Sequence, residues 1–121
     1  MSAGFALMTA LIDMNPFQQL EDASKYVLSA IKEICDAKGI PFSHASIGGM
    51  FGFFFSEELP NNFDKVVKTN DDLFIKFFNT ALKNGIYFAP SKYEAGFIST
   101  THNSSILDQT IEKVNLTLKE F

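Results

Sequence analysis

The 121-residue sequence contains no arginine and no tryptophan, and its single cysteine is Cys35. All ten basic residues are lysines, and fourteen acidic residues outnumber them, so the formal net charge is −4. A protein that binds nucleic acid needs a basic face and favours arginine for reading bases, so this composition argues against a nucleic-acid partner. The lack of arginine also leaves no side chain that could hold a carboxylate or phosphate by two parallel hydrogen bonds.

A lone cysteine cannot form an intramolecular disulfide, so the sequence predicts a protein of a reducing compartment, most simply the cytoplasm. Cys35 has neither histidine nor arginine beside it and falls near the apolar side of a predicted helix, which favours a core residue over a nucleophile. The apolar segment 5–14 has no positive region before it, since the first lysine is Lys25. It is also shorter than the roughly 18 apolar residues that a membrane span needs. We therefore expect a soluble protein with no membrane partner.

Hydrophobic residues are abundant, at 46% of the sequence, and include fourteen phenylalanines. Composition and length both suit one globular domain spanning residues 1–121. The helices that apolar spacing and capping residues predict lie at 2–14, from Pro16 to Gly39, at 63–67, from Asn70 to Gly85, and from Asn103 or Ser104 onwards. The side chains predicted to face the core are Phe17, Leu20, Val27, Ile31 and Ile34, then Phe74, Phe77, Phe78, Ala81 and Leu82, then Leu107, Ile111, Val114 and Leu118.

A strand pattern begins after Pro41, where FSHASI and MFGFFFS are separated by Gly48-Gly49. Two strands joined by such a pair are typical of a β-hairpin. The phenylalanines at 53–55 show no polar alternation, so we expect both faces of the second strand to be covered. Shorter strands are predicted at 86–88 and 97–99. The fold class that follows is α+β, with a small, mainly antiparallel sheet covered by helices.

Glycines and histidines that could carry chemistry have simpler structural interpretations. Gly48, Gly49 and Gly52 could be taken for a phosphate-binding loop, but strand residues flank them on both sides, which favours a hairpin turn together with a glycine that admits close packing. His44 and His102 lie far apart, and neither has a second type of ligand at metal spacing. We therefore expect no metal site.

The charged residues outside the helices also have simple interpretations. Glu57 and Glu58 stand beside the turn before Pro60, so a solvated loop explains them better than paired acid–base catalysis does. Lys92 could form an imine if it were desolvated, but a lysine between Ser and Tyr in a loop is expected to be exposed. Glu94 lies in the loop APSKYEAGF among small and aromatic residues. From chemistry alone, a ligand-binding carboxylate and one that hydrogen-bonds to local backbone suit this pattern equally.

The first predicted helix carries apolar side chains on nearly every side. A helix that is hydrophobic all round needs to be buried all round, and one small domain rarely does that for its first helix. Together with the uninterrupted FGFFF strand, this pattern predicts that a partner surface covers the domain.

Several long stretches resemble a known enzyme family. SIGGMFGFFFS, FIKFFNTALKNGIYFAPSKYEAGFISTTH and the helix after them are similar to the C-terminal part of the glutamate-1-semialdehyde 2,1-aminomutases, and the similarity extends to SAGFALMTALIDM at the start. The ordered combination of GMFG, FF, G-Y-APS-EAGF and a following S-x-x-H makes the resemblance specific. These are class-III aminotransferase relatives that depend on pyridoxal 5'-phosphate and have the aspartate-aminotransferase type of fold.

The resemblance implies that residues 1–121 are the small C-terminal domain of a longer enzyme, usually a homodimer. That enzyme moves an amino group within glutamate-1-semialdehyde to give 5-aminolevulinate, the precursor of tetrapyrroles such as haem. Its cofactor-binding lysine, phosphate loop and substrate-binding arginine belong to parts without a counterpart here, and Lys92 does not match the family's lysine. We therefore expect no catalytic residue, no bound cofactor and no activity in these residues alone, whether they are an isolated domain or a truncated reading frame.

The resemblance also implies a role for Glu94, which matches the glutamate of the family's EAGF motif and reaches toward the substrate. A carboxylate there disfavours substrates that carry an α-carboxylate and favours an amine. Ser91 and Tyr93 are weaker candidates as supporting polar groups, and the small Ala95 and Gly96 would leave room for cofactor and substrate. Two other functions stay open: a non-catalytic module that binds a partner through its phenylalanine-rich face, and the matching domain of another class-III aminotransferase, against which Glu94 argues.

Overall fold

The computed structural model describes all 121 residues. In chain order the elements are α1 (Ser2–Met14), α2 (Phe17–Ala37), β1 (Ser43–Ile47), β2 (Met50–Phe54), α3 (Phe63–Val67), α4 (Asp71–Lys83), β3 (Gly96–Phe97) and α5 (Ser104–Leu118). The strands form one antiparallel sheet in the order β1-β2-β3. The predicted α+β fold is confirmed.

Three helices begin at asparagine caps. The side-chain oxygens of Asn62, Asn70 and Asn103 each accept a hydrogen bond from the backbone N–H three residues later, at 2.9 to 3.1 Å. This satisfies one of the backbone donors that a helix start leaves unpaired. The caps place the starts of α3, α4 and α5 where the sequence predicts them.

The hairpin joins β1 and β2 through Gly48 and Gly49. Gly48 has a φ of +55°, which favours glycine because a side chain is strained there. Gly49 lies against the chain beyond β3, where the N–H of Ile98 donates to its carbonyl at 2.8 Å. A Cβ on Gly49 would stand 2.8 Å from the Ile98 carbonyl oxygen. The hairpin interpretation of these glycines is confirmed.

The core lies between one face of the sheet and the helices α2, α4 and α5, and phenylalanine rings fill much of it. Phe53 is central, with ring centroids 5.6 Å from Phe42, 5.6 Å from Phe77 and 5.5 Å from Phe88. Edge-on and offset ring contacts of this kind add to the free energy of burial. Phe53 and Phe88 are half-buried and pack against the buried core cluster, whose members are Val27, Ile31, Cys35, Ile40, Phe42, Phe55, Phe74, Phe77, Val114 and Leu118.

Two of the predicted core positions are wrong. Phe17 is 58% exposed and Leu82 is 47% exposed. The buried face of α4 turns toward Thr80 and away from Leu82. On α5 the polar Thr117 is fully buried, because its hydroxyl donates to the Lys113 carbonyl and accepts from the Asn84 side chain.

The strand predicted at 86–88 is absent. Gly85 ends α4 in the left-handed region, with a φ of +80°, and the N–H of Ile86 turns back to the Ala81 carbonyl at 2.9 Å. This is a helix-ending motif rather than the start of a ladder. Ile86 and Phe88 still pack against the core, so their apolar character reflects packing without strand pairing. Of the strand predicted at 97–99, only Phe97 lies in a strand, since β3 consists of Gly96 and Phe97.

Helix α1 forms as predicted, but none of its residues is buried. Phe5 is 77% exposed and Ile12 is 75% exposed. The helix ends at Asn15, which adopts a left-handed conformation with a φ of 41°. No helix of the structure is both long and apolar enough to cross a lipid bilayer.

Candidate functional site

A groove of about 450 Å³ runs along the sheet face that the helices leave uncovered. The side chains at the base of this groove are small, because Ala45 of β1 pairs with Gly52 of β2. The prediction that both faces of β2 are covered is therefore wrong within this chain: Phe53 packs against the core, whereas Phe51 and Phe54 line the groove on the uncovered side. We call this the open groove. Its other lining residues are Ser46, Ile47, Met50, Phe51, Phe54, Phe63, Val66, Lys92, Tyr93, Glu94 and Ala95.

The loop APSKYEAGF forms one wall of the open groove through a tight turn at residues 91–94. The N–H of Glu94 donates to the Ser91 carbonyl at 3.1 Å, which closes the turn. The N–H of Tyr93 donates to the Ser91 hydroxyl oxygen at 3.2 Å. Ser91 thus holds the turn together from within, as serine commonly does.

Lys92 is buried, so the prediction that it is exposed is wrong. Its side chain is only 6% exposed. The Nζ donates to the carbonyls of Val67 and Thr69 at 3.1 and 3.2 Å and forms an ion pair with Asp71 at 2.5 Å. A buried ammonium must be paired and hydrogen-bonded, and these three oxygens do both.

Tyr93 provides a second attachment for the same turn. Its ring packs on that of Phe63, the first residue of α3, with centroids 5.7 Å apart. Lys92 binds the carbonyls at and just beyond the other end of α3. The turn is therefore docked along the whole length of this short helix.

Glu94 follows these anchored residues and is itself exposed. Its carboxylate takes part in no hydrogen bond or ion pair within the chain, while its side chain lines the open groove. The interpretation of Glu94 as a carboxylate bound to local backbone is therefore wrong, because its backbone N–H, and not its carboxylate, makes the local bond. The turn presents one unpaired negative charge at the rim of a mainly apolar groove.

Gly96 does not leave empty space, contrary to the expectation for the small pair after Glu94. It pairs with Phe51 across the sheet, and a Cβ on it would stand 2.2 Å from the Phe51 ring. The absent side chain lets the ring lie over the glycine backbone. Ala95, by contrast, is exposed and lines the open groove.

The remaining candidate residues lie away from the open groove. Cys35 is fully buried, and desolvation raises the pKa of its thiol to about 11, which confirms a core residue. Burial lowers the pKa of His44, which packs against Phe42 in the core-side layer. His102 accepts a hydrogen bond from the backbone N–H of Ser99 at 2.9 Å.

Pyridoxal phosphate, the cofactor that the resemblance implies, needs a free amine for its aldehyde and several donors for its phosphate. Lys92 is the only lysine that lines the open groove, and its ammonium is already engaged by Val67, Thr69 and Asp71. The chain has no arginine. The residues present therefore do not make a site for this cofactor by themselves.

Comparison with known proteins finds aminomutases and a transaminase that are similar to this chain. The chain is 38% identical over 104 residues, 86% of its length, to a glutamate-1-semialdehyde 2,1-aminomutase from Polynucleobacter necessarius subsp. necessarius. It is 38% identical over 111 residues, 92% of its length, to a protein of the same name from Polynucleobacter asymbioticus. The chain spans about a quarter of the length of these curated relatives, 24% and 26%. No protein-family model matches it.

Among solved structures, an omega-transaminase from Sphaerobacter thermophilus matches with a TM-score of 0.67 at 13% identity. The match covers 85% of this chain and 24% of that one. At this identity the likeness shows the fold alone. It agrees with the α+β fold predicted from the sequence.

Proposed function

We propose that this chain, which is homologous to a segment of the glutamate-1-semialdehyde 2,1-aminomutases, is the small C-terminal domain of a longer enzyme with that activity. The enzyme converts glutamate-1-semialdehyde to 5-aminolevulinate for tetrapyrrole synthesis and acts as a homodimer. The observation that carries the proposal is the 38% identity over 86 to 92% of the chain. The buried free thiol of Cys35 suits a cytoplasmic setting, in which cysteines stay reduced.

In the proposed enzyme, the parts outside residues 1–121 bind the cofactor. Pyridoxal phosphate supplies the chemistry of amino-group transfer, and the residues that hold it lie outside residues 1–121. This domain supplies a wall of the active site, built from the open groove and the turn at 91–94. We accordingly expect no aminomutase activity from residues 1–121 alone.

Within this wall, Glu94 selects between substrates by the sign of its charge. An α-carboxylate close to Glu94 is repelled, whereas an amine is attracted. When the rest of the enzyme covers the open groove, water leaves an apolar surface, and the same charge acts more strongly than it does in water. Ser91 holds the turn that presents Glu94, and Tyr93 stands beside it at the groove, where its hydroxyl can contact the substrate.

A chimaera tests the proposal. Residues 1–121 replace the homologous quarter of the Polynucleobacter necessarius aminomutase, and formation of 5-aminolevulinate from glutamate-1-semialdehyde is measured. We expect activity well above that of the truncated relative. A chimaera that assembles and binds its cofactor but stays inactive contradicts the proposal, and so does one that fails to assemble, because the two segments are then not interchangeable.

The exposed apolar surface of α1 supports a second candidate, a non-catalytic module that binds a partner protein. The same experiment separates the two functions. Such a module has no reason to restore catalysis in the chimaera. Preferential turnover of ordinary amino acids by an active chimaera would instead indicate another class-III aminotransferase.

A further inference from the structure

Lys92 is a buried charge for which the proposed chemistry has no direct use. Its side chain lines the open groove, but its ammonium is already held by two backbone carbonyls and by Asp71. Burying an ammonium costs free energy that these contacts must offset. A structural loop could be anchored by an apolar side chain instead. The choice of a lysine therefore calls for an explanation in terms of what lies around it.

Glu94, two residues further along the same turn, provides that explanation. The charge of Lys92 is matched by Asp71 and turned toward the junction of α3 and α4, so it does not pair with Glu94. Meanwhile its long side chain ties the turn to that junction from within. The result is a turn that is anchored by a cation and still presents an unpaired carboxylate.

We propose that Lys92 is a positioning residue, which acts through Glu94 by holding the turn 91–94 against α3 and the start of α4. This inference rests on the proposed function for its effect on catalysis, but not for its effect on the turn. Asp71 contributes to the same anchoring, because its carboxylate forms the ion pair with Lys92 and so keeps the ammonium from pairing with Glu94. The substrate class concerned is an amino aldehyde whose amine faces Glu94.

The catalytic test is a double-mutant cycle in the active chimaera. Lys92→Met should lower kcat/KM for the semialdehyde by about tenfold to a hundredfold, since a displacement of about 1 Å can cost that much. In the Glu94→Gln background the same change should lower kcat/KM by no more than about twofold, because residues that act through one another are not additive. Asp71→Asn, a milder change at an exposed residue, should act in the same direction. Lys68→Met alters an exposed lysine of the same segment and is the control with unchanged kinetics.

The second test uses the 121-residue chain and needs no activity. Hydrogen exchange of the amides at 91–95 is followed by mass spectrometry. Lys92→Met and Asp71→Asn should speed exchange in this turn several-fold, while Lys68→Met should leave it unchanged, because local opening follows the loss of local contacts.

The outcomes separate the two proposals. If the chimaera is inactive while exchange at 91–95 speeds up in the Lys92→Met variant of the 121-residue chain, the proposed function is overturned and the anchoring is supported. An active chimaera in which Lys92→Met costs as much in the Glu94→Gln background as it does with Glu94 intact overturns the positioning role and leaves the function standing. An unchanged exchange rate in both variants overturns the anchoring itself.

Discussion

Removal of α1 should leave the free energy of unfolding nearly unchanged and should abolish self-association. None of the residues of α1 is buried, and none belongs to the core cluster. Deletion of residues 1–15 is therefore expected to change the free energy of unfolding by no more than about 0.5 kcal/mol, as is usual for surface changes. The matched control is Phe77→Ala, since Phe77 is 1% exposed at the centre of the core and its truncation should cost about 3–5 kcal/mol.

The association itself can be sized from the exposed side chains. The large apolar residues of α1 that are 59 to 77% exposed are Phe5, Leu7, Met8, Ile12 and Met14. Complete burial of these five side chains would contribute roughly 5–10 kcal/mol of favourable free energy per chain, at about 1–2 kcal/mol for the exposed part of each. A symmetric pair of helices covers about half of this on each chain, and association itself costs at least about 4 kcal/mol. At most about 6 kcal/mol of favourable free energy then remains for the pair, so we expect weak self-association, with a dissociation constant no tighter than about 40 µM.

Two measurements check this reasoning. Urea unfolding followed by circular dichroism gives the free energies, and sedimentation velocity over a concentration series gives the association. If deletion of α1 lowers the free energy of unfolding by more than about 2 kcal/mol, then α1 packs on its own chain and the reasoning is refuted. If the intact chain stays monomeric and binds no dye for exposed apolar surface, the prediction of a covering partner is wrong.

Three further predictions concern single residues. Glu94→Gln should leave thermal unfolding of the chain unchanged, because the Glu94 carboxylate has no partner. In the longer enzyme the same change should lower turnover of the semialdehyde without lowering turnover of ordinary amino acids, and lower thermal stability with unchanged kinetics would contradict this. Cys35 should resist a thiol reagent at pH 8 until the chain unfolds, and rapid labelling of the folded chain is the contrary result. The free energy of unfolding should fall as pH rises from the thiol's ordinary pKa of 9.0 toward its folded pKa of about 11, since the unfolded chain loses the thiol proton first. Gly49→Ala should destabilise by about 1–3 kcal/mol in urea unfolding, because its Cβ meets the Ile98 carbonyl oxygen at 2.8 Å, whereas the control Gly52→Ala meets nothing closer than 4.0 Å; equal losses would refute the steric argument.

Most of the secondary structure could be predicted from the sequence because its signals are local. Each asparagine cap bonds to an N–H three residues away, and the hairpin needs only Gly48 and Gly49 between two apolar runs. Such contacts form between neighbours in the chain, so residue type and spacing report them directly. The resemblance to the aminomutases is carried by ordered motifs in the same way.

The candidate site depends on contacts that the sequence order does not reveal. Lys92 binds carbonyls 25 and 23 residues earlier in the chain, and nothing in its neighbourhood, Ser91 and Tyr93, indicates burial. The segment 86–88 has strand composition, but it pairs with no strand of the sheet, so its apolar side chains pack without a ladder. A pattern records that a residue is apolar or charged and does not record which surface meets it.

The sequence by itself determined the helices, the hairpin, the α+β class and the position of Glu94 in a loop, since all of these follow from hydrogen bonds and apolar periodicity within a few residues. Only the tertiary structure decided that one sheet face stays open, that Lys92 turns inward to Asp71, and that Glu94 is left unpaired at the open groove. These features depend on pairings between distant segments, and a buried charge is stable only where such a pairing brings oxygen atoms to it.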